Sequence, residues 1–290
     1  MRLEKKATLF ASIVATLLAI FKLIVGIISG SVAVLASAID SLLDVSISIF
    51  NYFALNTAEK DHDEQFNFGR GKIEAIASVI EGVIITFSGL YILYISIMKI
   101  INQDTINYLD KSIMVMIVSI IATGGLVFYL NYVAKKTNSM VIKADSLHYK
   151  TDLYSNIAIV VSLVVIHFTG FYLVDAIMGL FISIYIIYSA YELIHDGVLM
   201  LLDVALDEEK VEQIKTIIKE EKGVTSYHDL RTRQSGSDIF VSVHLVFNDK
   251  ILLVDAHEVS DEVEDKIKKI DTQYTWYFSM HLDPFNDALH

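Results

Sequence analysis

A chain of 290 residues that is 54% hydrophobic is richer in apolar residues than a soluble domain of that length, and the excess lies almost wholly before Asp203. It has no cysteine, which excludes disulfides, iron–sulfur clusters and thiolate metal sites and leaves His, Asp, Glu and backbone oxygen as metal ligands. A formal net charge of −12 argues against a nucleic-acid partner.

The N-terminal stretch MRLEKKATLFASIVATLLAIFKLIVGIIS begins like a signal peptide, but its apolar run is too long for one and no small-residue cleavage site is evident. It is read as a retained first membrane helix. Six apolar segments, near 7–29, 31–56, 73–101, 111–134, 140–169 and 171–201, are each long enough to cross ~30 Å of hydrocarbon. The connections at Ser29–Ser31 and Gly170–Phe171 are so short that the helices they join must form antiparallel hairpins. Basic residues gather at Arg2, Lys5 and Lys6, at Lys60, Arg70 and Lys72, and at Lys135, Lys136 and Lys143, whereas the loop NQDTINYLDK holds only Lys111. That bias puts both termini in the cytoplasm.

After Asp203 the chain turns polar. VEQIKTIIKEEKG has amphipathic helical spacing, and YHDLRTRQSG and DIFVSVHLVFND read as two strands around a Ser-Gly turn. VDAHEVSDEVEDKIKKI is a second amphipathic helix, and YTWYFSMHLDP a last alternating strand. The expected fold is a polytopic α-helical membrane protein with six transmembrane helices over residues 1–205, followed by a C-terminal α+β ferredoxin-like (αββαβ) cytoplasmic domain over residues 206–290.

The membrane segments carry acids that lipid should exclude. Asp40 and Asp44 are one helical turn apart, and each costs ~2.5–3.5 kcal/mol near the bilayer centre. His148 and Asp152 repeat the same i,i+4 spacing in KADSLHYKTDL. At a rise of ~1.5 Å per residue both pairs come to similar depth, roughly 12–20 Å from their helix entry points. Three carboxylates and an imidazole at one level make a hard four-ligand set suited to tetrahedral zinc. The blander account has the same residues facing a packed bundle and bonding Ser or Thr neighbours. Asp145 lies on the same face nearer the cytoplasm, either lining an entry path or serving as a helix-start carboxylate. Glu81 is a further acid inside the third helix, open to a proton-path role or a hydrogen bond to a neighbouring helix. Lys22, near the outer end of the first helix, is expected to snorkel.

DSLLD in the second helix, ADSLHYKTD in the fifth, FGRGK before the third and HDLRTRQSG after the sixth resemble the cation diffusion facilitator family, most closely its bacterial zinc and ferrous-iron efflux pumps. The resemblance spans essentially the whole chain. It implies a homodimeric metal/proton antiporter of the inner or plasma membrane, with Zn2+ as cargo and regulator and no organic cofactor. The transport site it implies is Asp40, Asp44, His148 and Asp152. It also maps a binuclear regulatory zinc site onto His228, His244, His257, His281 and Asp283, with Asp283 bridging, although read alone these are equally well solvated surface histidines. Lys72 and Asp203 match an interlocking charge pair, or else are unrelated surface charges. The pattern breaks in the loop EKDHDEQFNFGRGK. Asp63 matches a family ligand, but Phe66 and Arg70 stand where histidines are usual, so this third metal site is expected to be lost. His62, among Asp61, Asp63 and Glu64, is a weaker substitute or part of a solvated acidic loop.

The expected function is export of zinc, or of cadmium or ferrous iron, in exchange for protons by alternating access. Metal ligation needs ionised carboxylates and a neutral His148, so zinc entry expels protons and proton entry expels zinc. The imidazole of His148 is the coupling candidate, because its ordinary titration lies near neutral pH. A metalloenzyme would need an open coordination position and a catalytic motif such as HExxH, which is missing from the sequence. A membrane-embedded zinc sensor that binds without transporting remains the alternative.

Overall fold

In the computed structural model, residues 3–29, 32–102, 110–169 and 173–286 are described. The side chains of 32–40 are not, so the Asp40 carboxylate falls outside the described residues, as do the loop 103–109, both short hairpin connections and His290. The chain divides into two compact units, Met1–Val198 and Leu199–His290.

The first unit is built of six long helices: α1 (Leu3–Ser29), α2 (Val32–Ala58), α3 (Lys72–Asn102), α4 (Asp110–Thr137), α5 (Met140–Thr169) and α6 (Leu173–Leu201). Among the described residues, stretches of α1, α3, α4 and α6 are long and apolar enough to cross a membrane. The two helices left out, α2 and α5, are those that carry the aspartates and His148.

Packing in this unit follows residue size. Ala7, Ala11 and Ala15, one turn apart on α1, are fully buried against α2 and α4, because small side chains let helix backbones approach. The opposite face of α1, from Phe10 through Leu17 to Ile24, is exposed and apolar, as a lipid-facing stripe must be. α3 and α6 meet through glycines. A Cβ at Gly82 would come within 2.6 Å of Ile194 on α6, and one at Gly197 within 2.7 Å of Val79 on α3. Between α4 and α5 the chain turns at Asn138, whose φ of 52° is left-handed, as a helix-ending residue often requires. That turn sets the start of α5 and hence the height of His148.

The second unit orders as α7 (Glu208–Glu220), β1 (Ser226–Ser235), β2 (Asp238–Val246), α8 (Leu253–Lys268) and β3 (Thr275–Asp283), the expected αββαβ sequence. β2 is central, antiparallel to β1 and parallel to β3. Its alternation sends Ile239, Val241, Val243 and Leu245 into the core, where they meet Ile214 and Ile218 of α7 and Val263 and Ile267 of α8. The other face of the sheet carries the polar residues, among them His244.

Candidate metal centres

In the helical unit, α5 presents His148 and Asp152 on one face, and α2 brings Asp44 to meet them. His148 Nε2 lies 3.0 Å from Asp44 Oδ1 and 3.8 Å from Asp152 Oδ2. One ligand atom from each of the three falls within 4.8 Å of the others, which is a spacing a single ion can span. Asp40 sits one turn before Asp44 on α2, and its side chain lies outside the described residues.

The site is graded in exposure along the helices. The Asp152 side chain is 38% exposed, Asp44 19% and His148 11%. Behind the cluster, Asp145 and Tyr149 of α5 are buried. There Tyr149 Oη pairs with Ser48 at 2.9 Å, and Asn51 Nδ2 donates to Glu81 Oε2 at 3.0 Å. Ser48, Asn51 and Tyr149 received no role from the sequence. Their only signal is polarity in otherwise apolar helices, with Ser48 and Asn51 one and two turns from Asp44. Lys22 departs from expectation: rather than reaching the interface, it is buried on α1 and donates to Ser41 of α2 at 2.8 Å. A hydroxyl within reach satisfies the ammonium inside the bundle, so it has no need to snorkel.

In the second unit the strand register makes the site. His228 of β1 stands directly opposite His244 of β2, which stands opposite His281 of β3. The three rings form a row, with centroids 4.7 and 4.6 Å apart. A bulge follows His228 in β1, where Asp229 takes a left-handed φ of 51°. Asp283, two residues past His281 and buried, lies beneath the row. Its Oδ2 is 3.2 Å from His228 Nε2 and 2.9 Å from His244 Nδ1, and its Oδ1 is 2.9 Å from His281 Nε2. His228, His244 and Asp283 each offer a ligand atom within 4.8 Å of the others, a spacing that one ion can span, and the second Asp283 oxygen extends the set to His281. His257 does not join it. It is on α8, largely exposed, 3.7 Å from Asp261.

The loop 59–71 is tied by an ion pair. Asp63 Oδ1 accepts the backbone N–H groups of Gln65 and Phe66, and Oδ2 pairs with the Arg70 guanidinium. That guanidinium also covers the Phe66 ring, 4.2 Å from its centroid. The hydrogen bonds from Arg70 and from the Phe66 backbone hold the Asp63 carboxyl below the usual carboxylate range. The pair therefore persists as pH falls through that range and is lost only below it. Asp63→Ala is expected to leave metal stoichiometry unchanged; loss of one ion per chain in a binding titration would contradict this.

Asp203, on the C-terminal side of α6, takes a left-handed φ of 58° and pairs with Arg233 of β1 at 3.0 Å. Lys72 begins α3.

Residues 8–202 match the family model described as the cation efflux transmembrane domain, and residues 206–285 the one described as the cation efflux protein cytoplasmic domain. This chain belongs to the cation efflux family. Curated relatives named cation-efflux pump FieF include one from Citrobacter koseri, 36% identical, and one from Klebsiella pneumoniae, 35% identical, each over 92% of this chain and 88% of the relative. A third, from Escherichia fergusonii, is 36% identical over the same shares. Cation efflux proteins are transporters, so this chain is a membrane transporter and not an enzyme. Within this cation efflux protein the α2–α5 cluster lies in the matched transmembrane domain and the histidine row in the matched cytoplasmic domain.

Proposed function

We propose that the chain exports zinc from the cytoplasm in exchange for protons, through Asp40, Asp44, His148 and Asp152. The observation that carries this is the convergence of Asp44, His148 and Asp152 from two helices into one ion-sized cluster inside the family's transmembrane domain. An imidazole among carboxylates favours a borderline ion such as zinc over purely oxygen-seeking ones. His148 can hold a proton or a metal at Nε2 but not both, so cargo and proton exclude each other there. On this reading all six helices span the bilayer, residues 1–205 form the transport domain, and both termini are cytoplasmic.

Residues 206–290 act as a metal-binding regulatory domain in a homodimer. Bound zinc would be held by His228, His244, His281 and Asp283, where it supplies a cross-link between strands. His257 belongs to the proposed ligand set as well, although on α8 it stands apart from the row. Membership of the cation efflux family and the relatives' name as pumps support transport over the alternative, a zinc sensor that does not move its ligand.

Zinc uptake into proteoliposomes under an imposed pH gradient tests this. Flux should follow the gradient in direction and size. Saturable zinc binding with no flux in either gradient would convert the reading to the sensor. His148→Asp should weaken zinc preference and admit manganese, raising the Mn2+/Zn2+ flux ratio at least ~10-fold, because it removes the nitrogen ligand that favours zinc. An unchanged ratio would remove His148 from selectivity.

A further inference from the structure

One turn before His148 on α5 lies a second polar constellation that neither metal centre uses. Asn51 of α2, Glu81 of α3 and Asp145 of α5 are all buried, with 0%, 1% and 0% exposure. The Asn51 amide lies near both carboxyls and donates to Glu81 Oε2 at 3.0 Å. Four oxygens are left over. Asn51 Oδ1, Glu81 Oε1 and both carboxylate oxygens of Asp145 are buried and receive no hydrogen bond among the described residues. Buried polar atoms nearly always have partners, and an unpaired one costs about 1–3 kcal/mol, more when charged. Two acids and one amide inside a helix bundle, with four such oxygens between them, are a set of ligand atoms without a partner among the described residues. The basic group acting on both is the His148 imidazole, one turn further along α5.

The chemistry of the set identifies what would complete it. It contains only oxygen, from two carboxyls and one amide, on three different helices. Such sets bind hard divalent cations, whereas nitrogen and sulfur draw softer ones. We propose that Asn51, Glu81 and Asp145 form a second, oxygen-only divalent-cation site, which stages an ion between the helix ends at Ala58, Lys72 and Met140 and the His148 cluster. Asp145 precedes His148 by three residues, so the two sites are neighbours on one face of α5. An ion moving from the inner to the outer site exchanges oxygen ligands for a mixed set that holds zinc more tightly. The inner site would thus admit hard ions and the outer one would select among them. The staging role rests on the transport reading; the existence of the site does not.

Manganese is the probe, because it prefers oxygen and is read by electron paramagnetic resonance. The full chain in lipid nanodiscs, carrying Asp44→Ala, His148→Ala and Asp283→Ala to remove the other two centres, should retain one Mn2+ per chain. Adding Glu81→Gln and Asp145→Asn, which keep side-chain volume, should weaken that binding at least ~10-fold. Asn51→Asp, which adds a carboxylate, should tighten it, a gain that misfolding cannot imitate. No retained Mn2+, or retention that ignores Glu81→Gln and Asp145→Asn, overturns the site. Retained Mn2+ in a chain whose unsubstituted form shows no metal flux keeps the site and removes the transport reading instead.

Discussion

If the proposed antiport holds, Asp44→Ala is expected to abolish proton-driven zinc flux in proteoliposomes, with a fall of more than ~100-fold. The carboxylate is the nearest partner of His148, at 3.0 Å, and the one described ligand that α2 contributes. Losing a group that merely orients a metal ligand typically costs 10–100-fold in affinity or activity, so loss of a ligand itself should exceed that. The same substitution also strips His148 of its acceptor and leaves the imidazole without its hydrogen bond inside the bundle. Zinc binding by the second unit should survive, because its ligands belong to a separate compact body. Flux above one tenth of the unsubstituted rate would mean that cargo passes elsewhere.

Asp283→Ala is the counterpart in the second unit, and on the proposed reading it should remove both of the ions assigned to the histidine row together. Each Asp283 oxygen faces a different part of the histidine row, Oδ1 toward His281 and Oδ2 toward His228 and His244. Truncation withdraws the one anionic ligand common to both positions, leaving neutral imidazoles to hold divalent ions. A zinc titration of the full chain should show the loss of two ions per chain and not one. His257→Ala should be milder, since His257 stands apart on α8. Loss of a single ion in Asp283→Ala would assign the carboxylate to one position only.

Much of this arrangement is legible in the residues because its rules are local. The i,i+4 spacing of His148 and Asp152 fixes them to one helix face, and the period-2 alternation of β2 separates His244 from the core without any knowledge of neighbours. The row of three histidines needs more, since strand register is decided by the turn at Gly236 and by the parallel return of β3. The Asn51–Glu81–Asp145 constellation is illegible for a different reason. Its members lie on three helices whose rotations about their own axes are set by packing, such as the alanine face of α1 and the glycine contacts of α3. The burial of Lys22 escapes for the same reason: Ser41 is a partner only once α1 and α2 are docked. Arg70 illustrates a substitution that is legible only as a loss. The sequence places Phe66 and Arg70 where ligands are expected, and the geometry shows the Arg70 guanidinium pairing with Asp63.

The histidine row also ties metal occupancy to folding. His228, His244 and His281 are separated by 16 and 37 residues in the chain, and only the completed three-stranded sheet sets them side by side. An unfolded chain offers the same groups scattered, with no shared site. Binding energy is therefore folding energy, and an ion at 100 times its dissociation constant would add about 2.7 kcal/mol to the stability of this unit. As free metal rises and falls, the sheet would stiffen and loosen with it, so the unit's own thermal stability becomes a readout of the ion it holds.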